Sequence, residues 1–235
     1  HYENNERGAV YVFRSSDGGA TYHEVAKLTA SDAAADDEFG ISVAIYKDVI
    51  VVGTYHAESA YVYRTTDGWN THTEIKLTAS DGAAERRFGR SVAIDGDKIV
   101  VGAFEDGYEG SAYVFRTTGG WDDSNPAYTE TKLTATDAAE DDRFGWSVAV
   151  DGDTVVVGAD GDDDNGGDHS GSAYAFHTTD GGVTFDEIKI TADDAAAGDE
   201  FGYSVAIDGG TIVIGARNAR LNANTNDDQG AGPAY

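Results

Sequence analysis

Phe-Gly occurs four times in this chain, at Phe39-Gly40, Phe88-Gly89, Phe144-Gly145 and Phe201-Gly202, at intervals of 49, 56 and 57 residues. The same text follows each time: ISVAI, RSVAI, WSVAV and YSVAI, then a tight turn, then an apolar run ending in glycine at Gly53, Gly102, Gly158 and Gly215. After the first three copies comes SAYVYRTTDG, SAYVFRTTGG or SAYAFHTTDG, and then EIKLTASDGAA, ETKLTATDAAE or EIKITADDAAA. Residues 8–38 carry this second half alone, as AVYVFRSSDGG and EVAKLTASDAA. A fixed repeat of this length means that one supersecondary unit is stacked on copies of itself, and any fold must respect that period.

Each unit reads as four short strands. SVAI and IVVG are β-branched runs split by Asp95-Gly96-Asp97, Asp151-Gly152-Asp153 or Asp208-Gly209-Gly210, the signal of a tight hairpin. AYVFRTT runs into a second glycine-containing turn, and EIKLTA alternates like a strand with one wet face. No stretch keeps an apolar spacing of three and four residues, and the Ala runs 33–35 and 195–197 are too short for anything but loops or a single helical turn. The expected strands of the first full unit are 41–46, 48–53, 59–65 and 73–78. Four strands in about fifty residues describe a blade of a β-propeller, where radial repetition protects the sheet edges. The expected fold is therefore all-β, a β-propeller of four-stranded antiparallel blades forming one domain over residues 1–235. Units begin near Phe39, Phe88, Phe144 and Phe201, and residues 8–38 supply the outer strands of a partial blade. The chain opens on third and fourth strands and closes on first and second, so these halves either join in a closed four-bladed ring or belong to an arc of a larger propeller. Gly232-Pro233-Ala234-Tyr235 aligns with Gly171-Ser172-Ala173-Tyr174, which restarts a third strand and favours the arc.

FGxSVA paired with IVVGA resembles the FG-GAP repeat, best known from the seven-bladed propeller of integrin α subunits. The resemblance covers roughly residues 8–235. It implies a propeller, a cell-surface or extracellular location and a non-catalytic binding or adhesion role toward a protein or glycan. Many repeats of integrins carry a calcium loop between the first two strands. Here that turn is too short to wrap an ion.

Net charge is −27, from 43 acidic and 16 basic residues. Such a field repels nucleic acid and anionic membrane surfaces and attracts cations and basic partners. No apolar run reaches the roughly 18 residues of a membrane span. Cysteine is absent, so neither disulfides nor thiol chemistry arise.

The sharpest candidate site is the loop 160–168. It places Asp160, Asp162, Asp164 and Asp168 at loop positions 1, 3, 5 and 9, with Asn165 at the bend. Calcium takes about six to eight oxygens, and acids on alternate residues can curl round it, which makes calcium the expected cofactor. The competing reading is a solvated acidic loop. The asparagine-rich segment after Ala216 is a weaker cation candidate. Trp69 and Trp121, in the hairpin after the third strand, are candidates for stacking on a ligand if exposed, or else cover their own hairpin. Phe39, Phe88, Phe144 and Phe201 are expected to pack between blades. Ser31-Asp32, Ser80-Asp81, Thr136-Asp137 and Asp193-Asp194 read as structural, each capping a turn. The six histidines share no repeat position, and no nucleophile elbow, phosphate loop or zinc spacing is present, so an enzyme is not expected. Two alternatives stand beside the binding module: a structural subunit of an extracellular filament, sheath or appendage that self-assembles, and a propeller glycosidase or lyase.

Overall fold

A computed structural model describes residues 7–82, 86–121, 126–164 and 166–220. Sixteen strands account for nearly all regular structure, and the one helical element among the described residues is a short 3-10 turn at Asp106–Tyr108. Three four-stranded antiparallel sheets follow one another. The first blade holds β3 (Val43–Tyr46), β4 (Val49–Gly53), β5 (Ala60–Arg64) and β6 (Thr73–Leu77). The second holds β7 (Ser91–Asp95), β8 (Lys98–Ala103), β9 (Ser111–Thr117) and β10 (Tyr128–Leu133). The third holds β11 (Ser147–Asp151), β12 (Thr154–Ala159), β13 (Ser172–His177) and β14 (Asp186–Ile190). Two-stranded sheets flank them, β1 (Val10–Arg14) with β2 (His23–Leu28), and β15 (Phe201–Asp208) with β16 (Thr211–Ala216). All pairings within sheets are antiparallel between sequence neighbours, as hairpins demand. The Ala runs 33–35 and 195–197 lie in loops that pass into turns, not in helix.

The glycine of the first hairpin carries its geometry. Gly96, Gly152 and Gly209 have φ between 54° and 58°, the left-handed conformation that a two-residue turn needs. In the first blade Lys47 adopts it instead, at φ 53°. First strands pack against one another in succession, β3 on β7, β7 on β11, β11 on β15. Val92 and Ile94 of β7 pack on Val49, Val51 and Val62 of the blade before, and Val148 repeats this against Val100 and Val114. Such a blade stack is consistent with a four-bladed propeller. Among the described residues β1–β2 and β15–β16 are separate sheets. The consequence shows on β3: Val43 and Ile45 are 57% and 65% exposed, while their repeat equivalents Val92 and Ile94 are 9% exposed. The sheet before them has no first- or second-type strand among the described residues to cover them. The restart at 232–235 lies outside the described residues.

The repeated text gains a physical meaning at the blade junctions. The glycine of each Phe-Gly has φ between 91° and 104°. Its carbonyl accepts a hydrogen bond from the serine of the preceding SVA: Ser42 Oγ to Gly89 O at 2.9 Å, Ser91 Oγ to Gly145 O at 2.8 Å, Ser147 Oγ to Gly202 O at 2.8 Å. The same carbonyl sits where a side chain on the preceding strand would go. A Cβ on Gly53, Gly102 or Gly158 would lie 1.9–2.0 Å from it. Both glycines and the serine are thus one contact that fixes blade to blade. The phenylalanine turns edge-on to the aromatics of its own third strand, as Phe144 does to Tyr174 at 5.3 Å and Phe176 at 5.7 Å. Phe39, Phe88, Phe144 and Phe201 are all buried, as expected.

Candidate binding face and acidic loop

Loops between second and third strands meet the loops that precede the Phe-Gly of their own unit on one face. Backbone hydrogen bonds run from Tyr55 N to Asp37 O, Glu105 N to Arg86 O, Gly161 N to Asp142 O and Asn218 N to Asp199 O, all within 3.1–3.2 Å. The residue before each Phe-Gly holds a left-handed φ in every copy: Glu38, Arg87, Arg143 and Glu200 lie between 51° and 59°. In three copies it faces an opposite charge in the other loop: Arg87 to Glu105 at 3.1 Å, Arg143 to Asp160 at 4.0 Å, Glu200 to Arg217 at 2.6 Å. The hairpins lie on the other face, stitched by Asp95 to Gly152 N at 2.8 Å and Asp151 to Gly209 N at 2.7 Å.

The Ser-Asp pairs before Phe-Gly do more than the turn-capping expected of them. They reach across to the following blade. Ser31 Oγ donates to Glu74 at 2.6 Å, Ser80 Oγ to Glu130 at 2.8 Å and Thr136 Oγ1 to Glu187 at 2.7 Å. Asp32, Asp81 and Asp137 each accept a tyrosine hydroxyl of that blade's third strand and pair with its fourth-strand lysine: Tyr61 and Lys76, Tyr113 and Lys132, Tyr174 and Lys189. In the second and third blades a buried acid joins the pair from the loop above, Asp106 to Lys132 at 2.7 Å and Asp162 to Lys189 at 2.8 Å. The hydrogen bonds from Lys76 and Tyr61 hold the Asp32 carboxyl below its ordinary range, and burial pushes the Tyr61 phenol up to about 12. The first half of this assembly is the serine-aspartate loop, and the second half comes from the next repeat, so no local reading of either finds the pair.

The acidic loop is divided by this assembly. Asp162 is fully buried, accepts Tyr174 Oη at 2.7 Å and contacts Lys189. Asp164 also reaches Lys189, at 3.1 Å. Asp137, Asp162 and Asp164 offer oxygens within 4.8 Å of one another, and the Lys189 ammonium stands among them. Asp168 is 88% exposed and pairs with His169 at 2.8 Å. Asp160 is buried elsewhere, toward Arg143, and its Oδ1 has no hydrogen-bond partner among the described residues. The structure therefore gathers two of the four aspartates, with Asp137 as the third member. Asn165 and the asparagine-rich segment from Asn222 onward lie outside the described residues.

Burial raises the Asp160 carboxyl to about 6. Its folded value lies above the unfolded one, so the folded state holds the extra proton between about pH 4 and 6, and stability falls as pH rises through that window. Asp160→Asn removes the charge. We expect it to stabilise the chain by about 1–3 kcal/mol at pH 7.5 and by almost nothing near pH 4. Denaturant melts at the two pH values check this; an equal gain at both would mean that charge is not the cause.

Trp69 and Trp121 do not stand in solvent: they are 6% and 2% exposed. Trp121 Nε1 donates to Asp97 O at 3.1 Å and its ring leans on Tyr128 at 5.9 Å. Trp69, at φ 76°, folds back into the cluster of Val12, Leu28 and Tyr63. Each packs into the junction between its own hairpin and the sheet before it, because an indole beside a β-sheet buries more apolar surface there than it would by standing out. A different aromatic reaches the loop face. Ile41, Arg90, Trp146 and Tyr203 occupy one repeat position at the start of the inner strands. Arg90 lies 4.5 Å over the Trp146 ring, Tyr203 is 5.6 Å from it and Arg217 lies 4.3 Å over Tyr203. The variability of this position between repeats was its only sequence signal.

No curated protein matches the chain. The FG-GAP repeat model matches residues 22–63, 71–115, 128–176 and 184–235. With each match holding the Phe-Gly, serine and glycine contacts or the outer strands that frame them, the chain belongs to the FG-GAP repeat family.

Proposed function

We propose that this chain is a non-catalytic binding module of an extracellular or cell-surface protein, and that it recognises a protein or glycan partner through its loop face. One observation carries the reading. Framework residues are the same in every repeat, while residues at equivalent places on the loop face differ in size and charge, as Ile41, Arg90, Trp146 and Tyr203 do. A scaffold held constant beneath a varied loop surface is the usual arrangement of a recognition module. Family membership supports it, although fold alone does not set function. No helix among the described residues is long and apolar enough to cross a membrane, so attachment to a surface would need another element. The test presents the chain to arrays of glycans and of surface proteins, and labels intact cells with an impermeant reagent. Saturable binding with surface labelling supports the reading; absence of both overturns it.

Calcium at the loop 160–168 is a second proposal, favoured by the buried Asp160 Oδ1, which has no hydrogen-bond partner among the described residues. Binding there needs Asp168 to turn inward, since Lys189 already serves Asp162 and Asp164. At about 10 mM, calcium is expected to stabilise the chain by roughly 1–3 kcal/mol. Magnesium should do less, because it demands a smaller octahedral site. The double variant Asp160→Asn, Asp168→Asn should lose the response. An equal response in that variant would assign the effect to bulk negative charge.

A further inference from the structure

A cavity of about 650 Å³ opens on the loop face where the loops of the first three blades meet. Its size falls within the roughly 300–1,000 Å³ of small-ligand sites. Four aromatics line it: Tyr55, Phe104, Tyr108 and Trp146. Phe104 is buried and braces Trp146 edge-on at 4.9 Å, while Arg90 backs the indole. Tyr108 is the opposite case. It is 72% exposed and holds φ 72°, directly after Gly107 at φ 69°. A bulky residue in that region is strained, and such strain persists where the side chain is needed in place. Tyr108 has no counterpart in the shorter loop 54–59, which joins Thr54 directly to its own turn.

The charged groups of the walls are mostly spent on each other. Arg86 pairs with Asp106 at 2.9 Å and Arg87 with Glu105 at 3.1 Å. Two groups keep hydrogen-bonding capacity among the described residues. Asp141 is exposed, its backbone N–H fixed to Tyr108 O at 2.9 Å, and its carboxylate makes no ion pair among the described residues. Arg143 has its nearest carboxylate at 4.0 Å, beyond hydrogen-bond reach. One acceptor and one donor fork thus stand two residues apart among aromatic faces.

We propose that this cavity binds a neutral saccharide unit of a glycan. Aromatic faces take the C–H face of a sugar ring, and a carboxylate with a guanidinium takes neighbouring hydroxyls, one accepting and one donating. Asp141 and Arg143 carry opposite charges, and Arg143 already faces Asp160 at 4.0 Å, so the cavity offers no spare charge to balance an ionic ligand. A polyanionic glycan would also meet the field of a chain of net charge −27. A basic peptide would suit that field and Asp141, but Arg86, Arg87, Arg90 and Arg143 surround the site. The inference rests on the binding-module reading and names its ligand class.

The test screens the chain against neutral glycans, polyanionic glycans and basic peptides, then titrates the best ligand into variants. Tyr108→Gly relieves the backbone strain, so its melting temperature should not fall, yet affinity for the neutral glycan should drop about tenfold. Trp146→Ile installs the residue that the first blade carries at this place and should weaken binding similarly. Phe13→Ala, on the outer strand β1, should change nothing. Unaltered neutral-glycan binding in Tyr108→Gly and Trp146→Ile would overturn this site while leaving the binding module intact. A polyanion or basic peptide whose binding depends on those two residues would overturn the ligand class. Silence of every arm, with protein partners also silent, would sink the binding-module reading itself.

Discussion

Phe144→Ala is expected to destabilise the folded chain by about 3–5 kcal/mol, the range for truncating a buried aromatic. Phe144 has no exposed surface, meets Tyr174 and Phe176 edge-on, and belongs to a cluster shared by two blades with Val100, Val114 and Leu133. The cavity would open at a junction where the following Gly145 carbonyl is held by Ser91 and wedged against Gly102, so the walls cannot collapse to refill it. Phe13→Ala supplies the contrast. Phe13 sits at the same repeat position as the buried Phe115 and Phe176, yet is 55% exposed because no full blade precedes β1 among the described residues. Its loss should cost less than about 1 kcal/mol. Denaturant melts with unchanged slope measure both. Similar losses for the two variants would mean that the blade stack continues over β1 in solution.

Much of the fold was open to reading because it is local. The hairpin glycines, the β-branched runs and the alternation of the fourth strand each lie within a few residues, and the observed strands 43–46, 49–53, 60–64 and 73–77 fall inside the expected ones. Side-chain fate was harder. Trp69 and Trp121 follow a turn that could send an indole either way, and burial was decided by a neighbouring strand, not by sequence spacing. The acidic loop read as a chelate because its acids alternate. Acids at alternate places would share one side of an extended chain, but this segment is a turning loop, which brings Asp162 inward to Tyr174 and leaves Asp168 outside. Tyr61, Tyr113 and Tyr174, Lys76, Lys132 and Lys189, and Asp32, Asp81 and Asp137 recur in register and were all visible. A period reveals that positions are equivalent but not that one copy's aspartate serves the next copy's lysine.

That cross-blade pairing can be tested directly at Lys189. Its ammonium contacts Asp137 at 2.6 Å, Asp162 at 2.8 Å and Asp164 at 3.1 Å, and lies 5.4 Å over the Tyr174 ring. Burial alone would lower its affinity for a proton, yet the hydrogen bonds to these carboxylates outweigh burial and raise it. Lys189→Met keeps the length of the stem and removes the charge, leaving Asp162 buried beside two like charges. Removing one member of a buried pair costs about 3–5 kcal/mol, and partial exposure of Asp164 puts the expected loss near the lower end. The pH dependence fixes the cause. In the natural chain burial works against ionised Asp137, but its bonds to Lys189 and Tyr174 win and hold its folded value below the unfolded one. It therefore stabilises at pH above the unfolded value, and that contribution fades as pH falls through the folded one. In the variant Asp137 loses the lysine that held its proton affinity down, so the variant lacks that contribution and the gap to the natural chain should widen as pH rises from about 4 to 7. Lys76→Met is the internal control. Among the described residues Lys76 forms an ion pair with Asp32 alone, about half exposed, and its loss should cost less than about 1 kcal/mol. Equal losses for the two variants, or a gap that does not grow with pH, would show that Lys189 holds the third blade by packing its stem and not by answering three aspartates.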